Sequence, residues 1–189
     1  PYKELQSFMS ILASTDGMGA RALEMTILTA TRTRESLGAR WEEFDLDSRI
    51  WTIPKGRMKA GVEHRIPLSE QAMKLVSRLK DHRMSDYMFP NLTTGEPLSN
   101  AGMSSVLKRL GRADVTVHGF RSTFRDYVAE QTNTSARTAE AALAHKLKDA
   151  SEAAYQRGDL IEKREVLMQI WSNYCYQPKA KVIQMPSSA

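Results

Sequence analysis

The chain has 189 residues, 41% hydrophobic and 26% charged, with a net charge of +5. That size and mix suit one folded domain with its own core, and no apolar run approaches a membrane span or a signal peptide. The single cysteine, Cys175, rules out an internal disulfide and a cysteine-rich zinc site, and the four histidines (His64, His82, His118, His145) never pair at helical ligand spacing. A reducing compartment with no metal and no cofactor is therefore the expectation.

The chain opens on Pro1 rather than methionine, and a helical pattern starts almost at once, so it is expected to be a fragment lacking an upstream domain. Leu5, Phe8, Met9 and Leu12 recur at helical spacing and predict an amphipathic helix over 3–14, broken by Asp16-Gly17. Leu23, Ile27 and Leu28 predict a second helix over 18–31, and a short helical turn follows around 33–39. The pattern then changes. Asp45-Leu46-Asp47-Ser48 is turn-like, Ile50–Ile53 and His64–Leu68 read as strands, and the hairpin tip falls near 55–62.

Ser69 predicts the cap of a helix over 70–81. Pro90, Asn91, Gly95 and Pro97 mark a loop over 90–98, and Ser99 is the expected N-cap of a helix over 100–110. Further helices are predicted at 118–131, 135–144, 149–156 and 160–175, before a tail from Gln177. The predicted architecture is α+β, mainly α, with a small antiparallel β-sheet near the N-terminal third.

Charge is unevenly spread. Residues 108–125 carry five basic side chains, Lys108, Arg109, Arg112, Arg121 and Arg125, against one acid, Asp114. Such a stretch is either a solvated helix face or a footprint for a phosphate-rich partner. Within it, His118 and Arg121 are three apart and share a helix face. A guanidinium can fork onto two phosphate oxygens with an imidazole donating beside it. The plainer alternative is a buried structural histidine next to a surface arginine. His145 precedes Tyr155 by a turn-like segment that can fold the tyrosine back toward it, although a tyrosine after two alanines also fits simple packing.

In order, Arg32-Thr33-Arg34-Glu35, the Lys59 hairpin, His118-Gly119-Phe120-Arg121, Ala144-His145 and Tyr155 resemble the signature of the tyrosine recombinase catalytic domain of phage and prophage integrases. The neighbouring text carries the same likeness: Thr29-Ala30-Thr31-Arg32, Gly38-Ala39-Arg40-Trp41, Trp51-Thr52-Ile53-Pro54, Arg57-Met58-Lys59, Val117–Arg125 and Leu143–Lys146. It runs from about residue 5 to 176, so 1–176 reads as the catalytic domain and 177–189 as a C-terminal tail, with the family's N-terminal DNA-binding domains outside the chain.

The resemblance implies roles. Arg32 and Arg121 would clamp the scissile phosphate, Glu35 would support the site, and Tyr155 would be the nucleophile. His118 would accept its proton, Lys59 would protonate the leaving 5′ oxygen, and His145 would donate to a phosphate oxygen. Arg34 also lies near the first-arginine position, with the spacing to Glu35 and Trp41 favouring Arg32. Lys55, Arg57 and Lys59 share the hairpin, with Lys59 the best match. Arg57, Lys108, Arg109, Arg112 and Arg125 are the candidate DNA contacts, mostly to phosphates.

The implied function is site-specific DNA recombination, in prophage integration or excision, through a metal-independent 3′-phosphotyrosyl intermediate. The implied partners are double-stranded DNA attachment sites and three further copies in a tetramer, the isolated fragment being monomeric. Accessory DNA-bending or excision factors are also admitted, and no membrane. The implied location is the bacterial cytoplasm, at the nucleoid when acting. Two rivals remain: a type IB topoisomerase, which religates the same strand, and a DNA-binding regulator without turnover. Finally, Leu160, Leu167, Trp171 and Tyr174 in the last helix either pack the domain's own core or dock on a neighbouring subunit.

Overall fold

The computed structural model describes residues 1–145 and 158–177. After a 3-10 turn, α1 (Leu5–Ala13) leads to α2 (Met18–Thr29), around which the rest is built. Every residue from Ala20 to Ala30 is buried. A helix apolar on nearly all sides belongs inside a domain, and α2 packs on α1 and on three later helices, α4 (Glu70–Lys80), α5 (Ala101–Arg109) and α8 (Ile161–Tyr176). Its two charged members, Arg21 and Glu24, meet at 2.5 Å. Gly19 permits the crossing with α5, since a Cβ there would lie 2.8 Å from the Gly102 carbonyl oxygen.

The short helix α3 (Thr33–Leu37) precedes a three-stranded antiparallel sheet of β1 (Phe44–Asp45), β2 (Ile50–Ile53) and β3 (His64–Pro67), in that order. Phe44 pairs with Trp51 and Ile53 with His64. The two longer strands match the sequence prediction. β1 is an addition, too short at two residues to show any alternation.

The chain continues through α4 (Glu70–Lys80), α5 (Ala101–Arg109), α6 (Gly119–Gln131), α7 (Ala136–Ala142) and α8 (Ile161–Tyr176). Ser69 caps α4 as predicted, accepting from the Ala72 amide at 3.3 Å. Ser99 does not cap α5. Asn100 occupies that position with a helical backbone and no side-chain bond, while the Ser99 carbonyl takes the Gly102 amide at 2.9 Å. The predicted helix at 149–156 and the tail beyond Gln177 lie outside the described residues. Among the described residues no helix is long and apolar enough to cross a membrane.

Helix α8 returns to the centre and packs on α1, α2, α4, α7 and β3. Trp171 is 0% exposed, donates its indole N–H to the Ile27 carbonyl at 2.8 Å, and meets Phe124 and Tyr127 at ring separations of 5.2 and 5.3 Å. Leu167 is buried beside it, and half-buried Tyr174 donates to the Tyr2 carbonyl at 3.0 Å. Leu160 is half-buried at the start of the helix. The aromatic side of α8 thus fills this domain's own core.

Candidate active site

Arg32 stands at the N-cap of α3 with extended backbone. Three residues on, the buried Glu35 carboxylate turns back: Oε2 accepts the Arg32 amide at 2.7 Å and Oε1 accepts Nη1 at 2.9 Å. One carboxylate thereby satisfies an unpaired helix-start amide and orients a guanidinium. Arg34 is exposed, and Glu35 pairs with Arg32.

Arg121 enters from α6. Arg121, Phe124 and Val128 are all buried at helical spacing, so the arginine lies on the core face of the helix and is only 5% exposed. Its Nη1 donates to the Ala30 carbonyl, and its Nη2 donates to the Leu143 carbonyl at 2.6 Å and lies 3.1 Å from His145 Nε2. Burial, then the nearby Arg32 charge, pulls its pKa down to about 10, still cationic at neutral pH. His118, at the start of α6, is exposed. The alternative of a buried histidine beside a surface arginine is therefore inverted.

The turn that receives these arginines is the end of α7. The Ala144 amide bonds the Ala141 carbonyl at 3.1 Å and the His145 amide bonds the Glu140 carbonyl at 3.0 Å, with Ala144 left-handed at φ 49. This is a Schellman ending with alanine where glycine is usual. Ala30, after α2, is left-handed too, at φ 52. Each such alanine costs about 1–2 kcal/mol of backbone strain, and the strain sits where carbonyls meet the site arginines. Arg32 Nη2 reaches the Ala144 carbonyl at 3.4 Å. On the other side of the turn, His145 Nδ1 lies 2.6 Å from Glu140 Oε2, and Glu140 Oε1 lies 3.2 Å from Arg125 Nε.

Two more buried groups stand close by, and the sequence reading gave neither a role. His64 on β3 is buried and its pKa is pushed down to about 3, first by burial and then by the charges of Arg164, Arg121 and Arg32, with the Ala142 carbonyl opposing. Arg164 on α8 is buried; it donates to the Asp159 carbonyl at 3.2 Å and to the Arg65 carbonyl. A signal existed for both. His64 shares the inward face of β3 with Ile66, and Arg164 precedes Leu167, Met168 and Trp171 at helical spacing.

The other expected residues are scattered. Lys59 and Lys55 are exposed in the β2–β3 connection. Arg57 of that connection turns inward, donating to both carboxylate oxygens of Glu43 and to the Glu35 carbonyl. Lys108 is exposed, and Arg109 donates to the Asp16 carbonyl at 3.2 Å. Arg112 pairs with Asp114 at 2.9 Å and with Glu4 at 3.2 Å. Tyr155 lies outside the described residues.

Arg32, Arg121 and His145 thus gather round one helix end, with Glu35 and Glu140 holding two of them from behind. Arg121 uses three of the five N–H groups a guanidinium owns. The remaining donors, with Arg32, suit a multiply coordinated oxyanion such as a phosphate.

The chain is similar to several known proteins. The prophage integrase IntA of Escherichia coli K12 is 35% identical over 160 residues, covering 82% of this chain and 38% of that protein. The integrase of Enterobacteria phage P4 is 30% identical over 205 residues, covering 98% of this chain and 47% of that protein. The chain therefore spans less than half the length of these relatives. Among solved structures, the integrase of mycobacterium phage Brujita aligns with a TM-score of 0.63 at 18% identity, covering 84% of this chain and 53% of that one. A lambda integrase dimer bound to a COC′ core site aligns with a TM-score of 0.58 at 18% identity, covering 77% of this chain and 56% of that one. At that identity the likeness concerns the fold, and it matches the mainly helical α+β architecture with its small antiparallel sheet. The model of the phage integrase family matches residues 2–158, which takes in all the motifs above, and the chain belongs to that family.

Proposed function

We propose that this chain is the catalytic domain of a tyrosine site-specific recombinase that integrates or excises phage DNA by breaking and rejoining strands. The observation that carries the reading is the meeting of Arg32, Arg121 and His145 at the end of α7, from segments far apart in sequence.

A phosphodiester is anionic and repels nucleophiles. Attack adds charge to its non-bridging oxygens, and two preorganised guanidiniums stabilise that charge where it develops. Tyr155 supplies the nucleophile. Its phenol is mostly protonated at neutral pH, and exposed His118 is the acceptor assigned to that proton. The new bond joins the tyrosine oxygen to phosphorus, and the bond to the 5′ oxygen breaks. Lys59, exposed on its connection, gives that oxygen a proton. The 3′-phosphotyrosyl intermediate keeps the bond energy, so attack by a partner strand's 5′ hydroxyl rejoins DNA without ATP. Cationic side chains supply the positive charge this pathway needs.

The partner is double-stranded DNA at attachment sites, a reading supported by solved lambda integrases bound to a core site and, as a tetramer, to a Holliday junction. Lys108, Arg109, Arg112 and Arg125 are assigned to phosphates outside the site, and Arg57 joins them only if it leaves Glu43. A tetramer on DNA, N-terminal DNA-binding domains that complete the clamp, accessory bending or excision factors, and action at the bacterial nucleoid belong to the same proposal.

Covalent capture tests it. The protein and Tyr155→Phe are mixed with supercoiled plasmid in EDTA and quenched with denaturant. Adduct or relaxation with the parent alone is the expected result. Equal activity in both removes Tyr155 from its role. Relaxation without strand exchange between two attachment sites favours the topoisomerase rival, and binding without adduct at a cognate site favours the regulator.

A further inference from the structure

His145 lies between two groups of opposite character. Nδ1 is 2.6 Å from Glu140 Oε2, and Nε2 is 3.1 Å from Arg121 Nη2. A carboxylate only accepts and a guanidinium only donates. The hydrogen of a neutral ring therefore belongs on Nδ1, and the lone pair on Nε2 faces Arg121.

Glu140 holds this residue twice. Its backbone carbonyl takes the His145 amide at 3.0 Å in the Schellman ending of α7, and its carboxylate takes the ring. The second carboxylate oxygen is braced by Arg125 Nε at 3.2 Å. Rotation of the ring would break the Nδ1 bond and remove an acceptor from Arg121.

We propose that Glu140 is a positioning residue for the strand-breaking site: it selects the Nδ1-protonated ring of His145 and aims the Nε2 lone pair at Arg121, the guanidinium of the phosphate clamp. The inference rests on the recombinase reading for its consequence in catalysis, but not for the ring state itself. The neutral ring so held accepts from Arg121 rather than donating to phosphate, and it acts by fixing that guanidinium, as a third group fixes a catalytic histidine elsewhere.

The test uses the 189-residue chain labelled with 15N-histidine, at about pH 8.5, above the ordinary histidine range. Two-bond proton–nitrogen correlations distinguish the two tautomers, and the His145→Gln spectrum assigns the resonance. The parent and Glu140→Gln, whose amide oxygen still accepts, should show the Nδ1-protonated ring. Glu140→Ala should lose it. In plasmid capture, Glu140→Ala should fall on the order of tenfold or more below the parent, with most of the loss restored in Glu140→Gln. A parent ring protonated on Nε2, or an Nδ1-protonated ring surviving in Glu140→Ala, overturns the proposal. So does equal capture by Glu140→Ala and an adduct-forming parent. A parent that forms no adduct counts against the recombinase reading, while the ring spectra still decide the part played by Glu140.

Discussion

Arg32 and Arg121 dock on consecutive carbonyls of one turn: Arg32 Nη2 lies 3.4 Å from the oxygen of Ala144, and Arg121 Nη2 lies 2.6 Å from that of Leu143. One arginine begins α3 and the other sits in α6, yet both take their position from the end of α7. The separation of the two charges is therefore set by backbone, which reorganises little when an anion arrives.

Arg121→Lys keeps the charge and loses the fork. A lysine ammonium cannot serve the Ala30 and Leu143 carbonyls in the same planar arrangement. Covalent capture is expected to fall about 10²–10³-fold. Stability should fall by roughly 1–3 kcal/mol, because buried acceptors lose their donors. Urea unfolding and plasmid capture on the same preparations check both; wild-type capture would remove Arg121 from the clamp.

Arg57 has a clear alternative to DNA binding. Glu43 is buried, and it accepts from Arg57 and from the Trp51 indole at 2.9 Å. Arg57→Ala leaves that carboxylate without its cation, at a cost of order 3 kcal/mol. A clear drop in the urea midpoint is expected. An unchanged midpoint with a shallower salt dependence of DNA binding would make Arg57 a phosphate contact instead.

His64 makes stability depend on pH. Its folded pKa is lowered from 6.5 to about 3, chiefly by burial. Between those values the unfolded chain takes a proton that the folded one refuses, so stability falls as pH drops through that window. From about pH 7 to pH 5 this one group should remove about 2 kcal/mol. His64→Gln lacks the titration, so its urea stability should decline less over the same range. Parallel declines for the two proteins would show that His64 is not held neutral.

Trp171→Ala tests the role of α8. Removing a fully buried indole and its bond to Ile27 should cost about 3–5 kcal/mol. The loss should appear in unfolding of the monomer. A variant with unchanged unfolding and altered sedimentation would assign that face to a neighbouring subunit.

Much of the fold was legible because helices and strands obey short-range periodicities. Leu5, Phe8, Met9 and Leu12 mark α1 as they line its buried side, and Ser69 caps α4 by a bond spanning three residues. β1 escaped because two residues carry no period, and the cap expected at Ser99 does not form: Asn100 precedes the helix without a side-chain bond, and the backbone carbonyl of Ser99 takes the Gly102 amide instead. The ordered motifs also picked out Arg32, Glu35, Arg121 and His145, which the fold brings together.

The sequence by itself determined the local elements, the family likeness and the residue types suited to phosphate chemistry. Tertiary structure decided which of those residues are buried and what each one faces. Arg57 turns to Glu43 while Lys59 stays exposed, although the two are neighbours on the hairpin. His64 and Arg164 stand within each other's field across a hundred residues of chain. Side-chain periodicity is a short-range property of the backbone, whereas desolvation and ion pairing depend on segments that meet only when the chain folds.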